Sequence, residues 1–229
     1  MRIDVKGSII PTDDKWIYDW FEMESTSPKD VNTALEKANG QDVDVYINSG
    51  GGDIFAGSEI YSAFKGYKGQ VNIHVVGVAA SAASVIALAG KSDISPTAMI
   101  MVHNVSGGAE GDYHTMDKTS DVLQTANKAI AAAYITKTGM SEKDVLAMMD
   151  KETWLTAQQA VDKGLIDAVA FSTVQLTASY NSGMLPKSVI DKIRNTIKNP
   201  QGDNQADILL QKKAQAKLRL LNLGGKNCE

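Results

Sequence analysis

The run Val71-Asn72-Ile73-His74-Val75-Val76 is dense in β-branched residues and stops at Gly77. After it the chain turns small, Ala79-Ala80-Ser81-Ala82-Ala83-Ser84, and then apolar up to Gly90. This change of period predicts a buried strand, a tight turn and a helix that ends at a glycine. The same switch occurs earlier: residues 42–48 alternate as a strand that runs into Ser49-Gly50-Gly51-Gly52. Residues 53–65 then read as a helix with Ile54, Phe55, Ile60, Tyr61 and Phe64 as its apolar positions. At the start, residues 3–5 and 7–10 suggest a strand and a bend, and residues 28–38 a helix capped by Ser27 and closed by Asn39-Gly40. Residues 98–102 form another strand, ending at His103, and a glycine-rich loop leads to a long helix over 116–138, closed by Gly139. Ser141 caps a helix to about residue 150, and Thr156 with Gln159 makes a capping box for one that ends at Gly164. Residues 165–169 are a last strand. Strands alternating with helices predict an α/β fold with a largely parallel sheet.

Beyond residue 172 the pattern changes. Residues 173–183 are polar and linker-like, and 186–198 fit an amphipathic helix on Ile190, Ile193 and Ile197. Residues 199–204 form a flexible spacer, and 208–223 set Leu210, Ala214, Leu218 and Leu221 on one face among lysines. The chain is therefore expected to divide into a folded domain at 1–172 and a basic amphipathic extension at 173–229. Charge sharpens this division. Residues 185–229 hold nine Lys and Arg against four acids, while the whole chain has a net charge of −4. A positive tail on an acidic body suits an acidic protein surface at least as well as it suits nucleic acid; of the two, the acidic protein is the expected partner, without nucleic acid.

Hydrophobic content of 43% and charged content of 22% are those of a soluble globular protein. The one cysteine, Cys228, excludes an internal disulfide and favours a reducing, cytoplasmic setting. The first residues alternate like an edge strand, unlike the apolar core of a signal peptide, and no long apolar span predicts a membrane role.

The candidate chemistry gathers where strands end, which is where catalytic groups collect in such folds. Ser81 falls at a helix start, beside unpaired N–H groups and the positive end of the helix dipole, so it reads either as a nucleophile or as a helix cap. His103 is the histidine placed to act as a general base, whereas His74 in mid-strand and His114 in the loop read as structural or solvent-facing. The glycine run could cradle a phosphate, but Phe55 stands where the third glycine of a dinucleotide fingerprint belongs. Val85 likewise replaces the first glycine of a P-loop that would end at Gly90-Lys91-Ser92. No cofactor is expected; the glycine N–H groups are better suited to an oxyanion. The absence of an H-E-x-x-H motif and of any Cys/His cluster leaves no expected metal site.

Five blocks stand in order: Tyr46-Ile47-Asn48-Ser49-Gly50-Gly51-Gly52 with Ala56-Gly57; Gly77-Val78-Ala79-Ala80-Ser81-Ala82-Ala83 with Ala89-Gly90; Met101-Val102-His103-Asn104 with Gly107-Gly108 and Gly111; Thr138-Gly139; and Trp154-Leu155-Thr156-Ala157-Gln158-Gln159-Ala160-Val161-Asp162-Lys163-Gly164-Leu165-Ile166-Asp167. Together they resemble the Clp proteolytic-subunit serine peptidases over residues 1–170. The resemblance implies a Clp/crotonase-type fold of repeated ββα units that assembles into homo-oligomeric rings. It implies Ser81 as nucleophile, His103 as base, and the N–H groups of Gly52 and Ala82 as the oxyanion hole. Glu152 stands where the family has the aspartate that orients the imidazole, with Asp150 as the alternative, and Gly51, Gly107 and Gly108 fall at substrate-binding positions. Gly50 and Val105 depart from the family pattern, each standing in place of a proline. The short stretch before the first strand lacks the segment by which cellular members engage an unfoldase ATPase, so an ATPase partner is not expected. That feature and the basic tail are similar to the head-maturation proteases of tailed bacteriophages, which cut capsid and scaffold proteins inside the assembling prohead. The rival readings are a host housekeeping peptidase, a crotonase-fold acyl-CoA enzyme and a non-catalytic assembly protein.

Overall fold

A computed structural model of the chain describes residues 1–171. The extension expected over 173–229, with its two amphipathic helices and spacer, lies outside the described residues. In chain order the elements are β1 (Arg2–Ile9), a 3₁₀ turn (Thr12–Asp14), α1 (Lys15–Trp20), β2 (Ser25–Thr26), α2 (Pro28–Ala38), β3 (Val43–Gly52), α3 (Ile54–Gly66), β4 (Val71–Ala80) and α4 (Ala82–Ile86). They continue as β5 (Lys91–Ile94), β6 (Met99–Val102), α5 (Tyr113–Thr138), α6 (Glu142–Asp150), β7 (Thr153–Thr156), α7 (Ala157–Asp162) and β8 (Ala168–Val169).

One sheet runs in the order β2-β1-β3-β4-β5-β8, with β6 attached to β4 and β7 attached to β6. Each of these pairings is parallel except β6 with β7. This is the mixed α/β architecture, with a mostly parallel sheet, that the Clp/crotonase-type fold leads one to expect. β3 alternates buried Val43, Val45 and Ile47 with less buried positions, as a strand covered mainly on one face should. Helices α2, α3 and α4 add Val31, Leu35, Ile60, Phe64 and Ile86 to the same core. Each such apolar side chain stabilises the fold by about 1.5–3 kcal/mol when fully buried.

The element that sets up the site is β4. Its first half pairs with β5 (Asn72 opposite Lys91) and its last three residues with β6 (Ala80 opposite Met101). The change of neighbour falls at Gly77, so the strand continues past the glycine expected to end it. The physical reason is Asn48 on β3. Its side chain fills the space where a Cβ on residue 77 would lie, and its Oδ1 accepts the Val78 N–H at 3.1 Å. The β3–β4 register slips at that point, and β4 is carried forward to deliver Ser81.

Other expectations are corrected in detail. The helix after Ser81 ends at Ile86, one turn short of Gly90. Phe55, expected on the apolar face of α3, is 77% exposed. Lys91 and Ser92 of the Gly90-Lys91-Ser92 stretch belong to strand β5, and neither β5 nor β7 has a counterpart among the predicted strands.

Candidate active site

Segments following β4 and β6 converge against the end of β3. Ser81 follows β4 directly and is held at φ +54° and ψ −126°, a region that costs a non-glycine residue about 1–3 kcal/mol. Its N–H donates to the Met101 carbonyl at 3.1 Å, and its own carbonyl accepts the Ser84 N–H at 2.9 Å. That carbonyl also accepts the Ser84 hydroxyl at 2.6 Å. Ala80 and Ala82 on either side are buried, and their small size lets the turn pack closely. The Ser81 side chain makes no bond to the helix that it precedes, so the reading of Ser81 as a cap gives way. Its Oγ instead lies 2.8 Å from Nε2 of His103.

His103 is the first residue beyond β6, and the pairing of Ala80 with Met101 brings the two strand ends level. For Nε2 to accept the serine proton, the imidazole must be the tautomer that carries its proton on Nδ1. A base within this distance of a hydroxyl is placed to take its proton as the oxygen attacks an electrophile. The chain after His103 is held from two directions: the Val105 N–H donates to Oδ1 of Asn127 on α5 at 2.7 Å, and Asn104 Nδ2 donates to Asp150 Oδ1 at 2.8 Å. The buried Oδ1 of Asn104 has no partner among the described residues.

The glycine run is strand, paired through Gly52 with Ile9 of β1, and does not form a phosphate-binding loop. Gly51, at φ +95°, faces the nucleophile turn: a Cβ there would lie 2.6 Å from the Ser81 Cβ and 3.1 Å from the Ala82 nitrogen. Gly52 follows it and backs onto the Ile9 carbonyl. Gly107 lies near Leu123, Gly108 has open space around it, and both are exposed in the loop before α5. Of the two candidate orienting acids, Asp150 is the last residue of α6 and Glu152 sits on the turn that follows it. Glu152, at φ +47°, accepts a 3.4 Å bond from the Trp154 indole, while Asp150 is engaged by Asn104. Neither hydrogen-bonds to His103 in this conformation. His74 pairs with Asp93 at 2.9 Å, and His114 is exposed on α5. Among the described residues no group of three or more His, Cys, Asp or Glu could hold a metal ion.

Two residues that sequence reasoning passed over stand behind the turn. The Tyr134 hydroxyl, on α5, is 2.6 Å from Ser84 Oγ, and both residues are buried. Burial pushes the Tyr134 hydroxyl up to about 12, against the opposing pull of its bond to Ser84. Ser84 carried a readable signal, a hydroxyl three residues after Ser81, which is the spacing of a local side-chain-to-backbone bond. Tyr134 lies fifty residues further along and carried none.

A model of the Clp protease family matches residues 29–173. The chain is 35% identical over 133 residues to the ATP-dependent Clp protease proteolytic subunit of Bacteroides fragilis, a match covering 57% of this chain and 64% of that protein. It is 33% identical over 144 residues to the ATP-dependent Clp protease proteolytic subunit 1 of Chlamydia abortus, covering 60% and 75% of the two. The corresponding subunit of Ligilactobacillus salivarius is 35% identical over 132 residues, covering 56% and 67%. The match to the Bacteroides fragilis subunit thus spans a little under two thirds of that relative's length.

Proposed function

The chain belongs to the Clp protease family, and from that premise we propose that it is a serine endopeptidase with Ser81 as nucleophile and His103 as general base. The observation that carries this reading is the 2.8 Å contact between Ser81 Oγ and His103 Nε2. Ser81 Oγ attacks the peptide carbonyl while Nε2 takes its proton. The N–H groups of Gly52 and Ala82 receive the oxyanion of the tetrahedral intermediate. Collapse expels the amine, which leaves with the proton from His103. A water then repeats the sequence on the acyl-enzyme, releasing the carboxylic acid and restoring both residues. An extended substrate lies along Gly51 and the Gly107-Gly108 loop and is held by backbone pairing, which makes side-chain selectivity loose.

The test is labelling by a fluorophosphonate probe. Wild type is expected to be modified at residue 81, with loss of labelling in Ser81→Ala and in His103→Ala; equal labelling of all three would overturn the reading. A crotonase-type acyl-CoA enzyme, which does not need the serine–histidine pair, predicts no labelling at residue 81 in wild type.

Glu152 is proposed as the carboxylate that orients His103, with Asp150 as the alternative. Removing an orienting acid from such a triad lowers kcat by about 10⁴-fold. Glu152→Gln is therefore expected to fall by several orders of magnitude and Asp150→Asn by only a few-fold; the reverse pattern would transfer the role to Asp150.

At finer grain, the proposed substrates are capsid and scaffold proteins of an assembling phage head, cut by a homo-oligomeric ring without an ATPase. The basic amphipathic segment 185–229, with nine Lys and Arg against four acids, supports docking on an acidic assembly partner. The relatives named above are ATP-dependent proteolytic subunits, which favours a housekeeping peptidase as the second reading. Degradation of an unfolded protein such as casein, without ATP or any partner, separates the two: the maturation reading expects it, and strict dependence on an unfoldase would reject it.

A further inference from the structure

The Ser81 carbonyl and the Ala82 N–H belong to one peptide unit. In a trans peptide these two bonds are antiparallel, so whatever fixes the direction of the carbonyl also fixes the direction of the N–H. Ser84 holds that carbonyl with both its hydroxyl, at 2.6 Å, and its N–H, at 2.9 Å. The single hydroxyl proton of Ser84 is committed to this bond, so in its 2.6 Å contact with Tyr134 the tyrosine is the donor. The result is a directed chain, Tyr134 O–H to Ser84 O–H to Ser81 C=O, buried at Tyr134 and Ser84 and half-buried at Ser81. Burial keeps the tyrosine proton in place, pushing the hydroxyl up to about 12. A hydrogen-bonded chain of this kind polarises the peptide at its end and strengthens that peptide's N–H as a donor.

We propose that Tyr134 and Ser84 are positioning residues that aim the Ala82 N–H at the substrate oxyanion by pinning the Ser81 carbonyl from behind. The chain also gives α5 a hydrogen-bonded connection to the nucleophile turn. Tyr134 and Ala131 are its buried residues, so a shift of this helix acts on the oxyanion donor through the tyrosine. This inference rests on the reading of Ser81 as nucleophile and of the Ala82 N–H as an oxyanion donor.

The test compares wild type, Tyr134→Phe, Ser84→Ala, the double variant and Ser81→Ala on a p-nitrophenyl ester. It also measures affinity for a peptide boronate, which forms a tetrahedral adduct. Loss of an oxyanion donor costs about 10²–10³ in kcat; misaiming one is expected to cost about tenfold in Tyr134→Phe and more in Ser84→Ala, with KM unchanged and boronate affinity falling in step with kcat. Because the residues act in series, the double variant should match Ser84→Ala in kcat. It should also unfold at a higher temperature than Ser84→Ala, because the phenylalanine removes the hydroxyl that Ser84→Ala leaves buried and unpaired. Unchanged kcat in both single variants, or losses confined to KM, would overturn the proposal while leaving the peptidase reading intact. Full ester turnover by Ser81→Ala would remove that reading and the proposal with it. Should Tyr134→Phe prove unfolded, Ser84→Ala decides alone through the same split between kcat and KM.

Discussion

Ser81 occupies a backbone conformation that the surrounding contacts must impose, since its side chain gains nothing from it locally. The mirror region near φ +54° and ψ −126° is open to glycine at little cost. Ser81→Gly is therefore expected to be inactive yet to unfold at a higher temperature than Ser81→Ala, by about 1 kcal/mol of stability relieved. Thermal melts of the two inactive variants check this, and equal midpoints would mean that the turn is not under strain. Gly51 poses the converse case. At φ +95° its missing Cβ leaves room for the Ser81 Cβ 2.6 Å away and the Ala80 carbonyl 2.7 Å away, so Gly51→Ala must push the turn aside. We expect fluorophosphonate labelling to slow by at least about tenfold, with about 1–3 kcal/mol of overpacking cost. Gly50→Ala, one residue away, has nothing within 4 Å of the new methyl and should leave labelling unchanged, which separates a packing effect from a general intolerance of the strand.

At the scale of elements, what was legible in the sequence had a chemical mark at its end. α2 runs from Pro28 to Ala38 as expected because Ser27 and Asp30 satisfy each other's backbone N–H groups and Asn39 takes the left-handed position. α7 is likewise marked by Thr156 and Gln159. β5 and β7 are four residues each; they are strands because β4 and β6 offer edges to them, which no local pattern encodes. The prolongation of β4 beyond Gly77 depends on Asn48, twenty-nine positions earlier and legible only once β3 and β4 are side by side. Ser81, His103 and Gly51 were readable as candidates because each ends a strand, but the buried chain through Ser84 and Tyr134 needed the packed helix. α5 also holds the far side of the site through the 2.7 Å bond from the Val105 N–H to Asn127. Loss of that acceptor strands a backbone donor, at a cost of about 1–3 kcal/mol if it stays buried. Asn127→Ala should therefore loosen the segment that carries His103, lowering kcat several-fold on the ester with little change in KM. An unchanged kcat in a folded variant would show that the segment is held by its other contacts.

Across the described residues, distant parts of the chain are joined by a polar stitch. Lys137, near the end of α5, donates to Asp167 at 2.7 and 2.8 Å and to the Gly90 carbonyl at 3.2 Å. Asp167 in turn accepts the Ser92 N–H at 2.8 Å, so α5, β5 and the turn before β8 meet on one carboxylate. An exposed ion pair by itself contributes about 0–1 kcal/mol, and the Asp167 side chain is 45% exposed, but here the pair is joined by a backbone donor, the Ser92 N–H, and a backbone acceptor, the Gly90 carbonyl. Partial burial acts to raise the Asp167 carboxyl; the bonds from Lys137 and Ser92 outweigh it and hold the group below its ordinary value. A carboxyl depressed in the folded state contributes stability that is complete above its unfolded value, about 3.9, and is lost as pH falls through the folded value. Wild type is therefore expected to lose more of its melting temperature between pH 6 and about pH 3 than Asp167→Asn, which has no proton to gain. Lys137→Met removes the strongest of the compensating bonds while keeping the burial. Its carboxyl should rise toward or past the ordinary range, shrinking or reversing the acid-linked loss. Parallel melting curves for wild type and both variants would mean that the stitch orders the surface without storing pH-dependent stability.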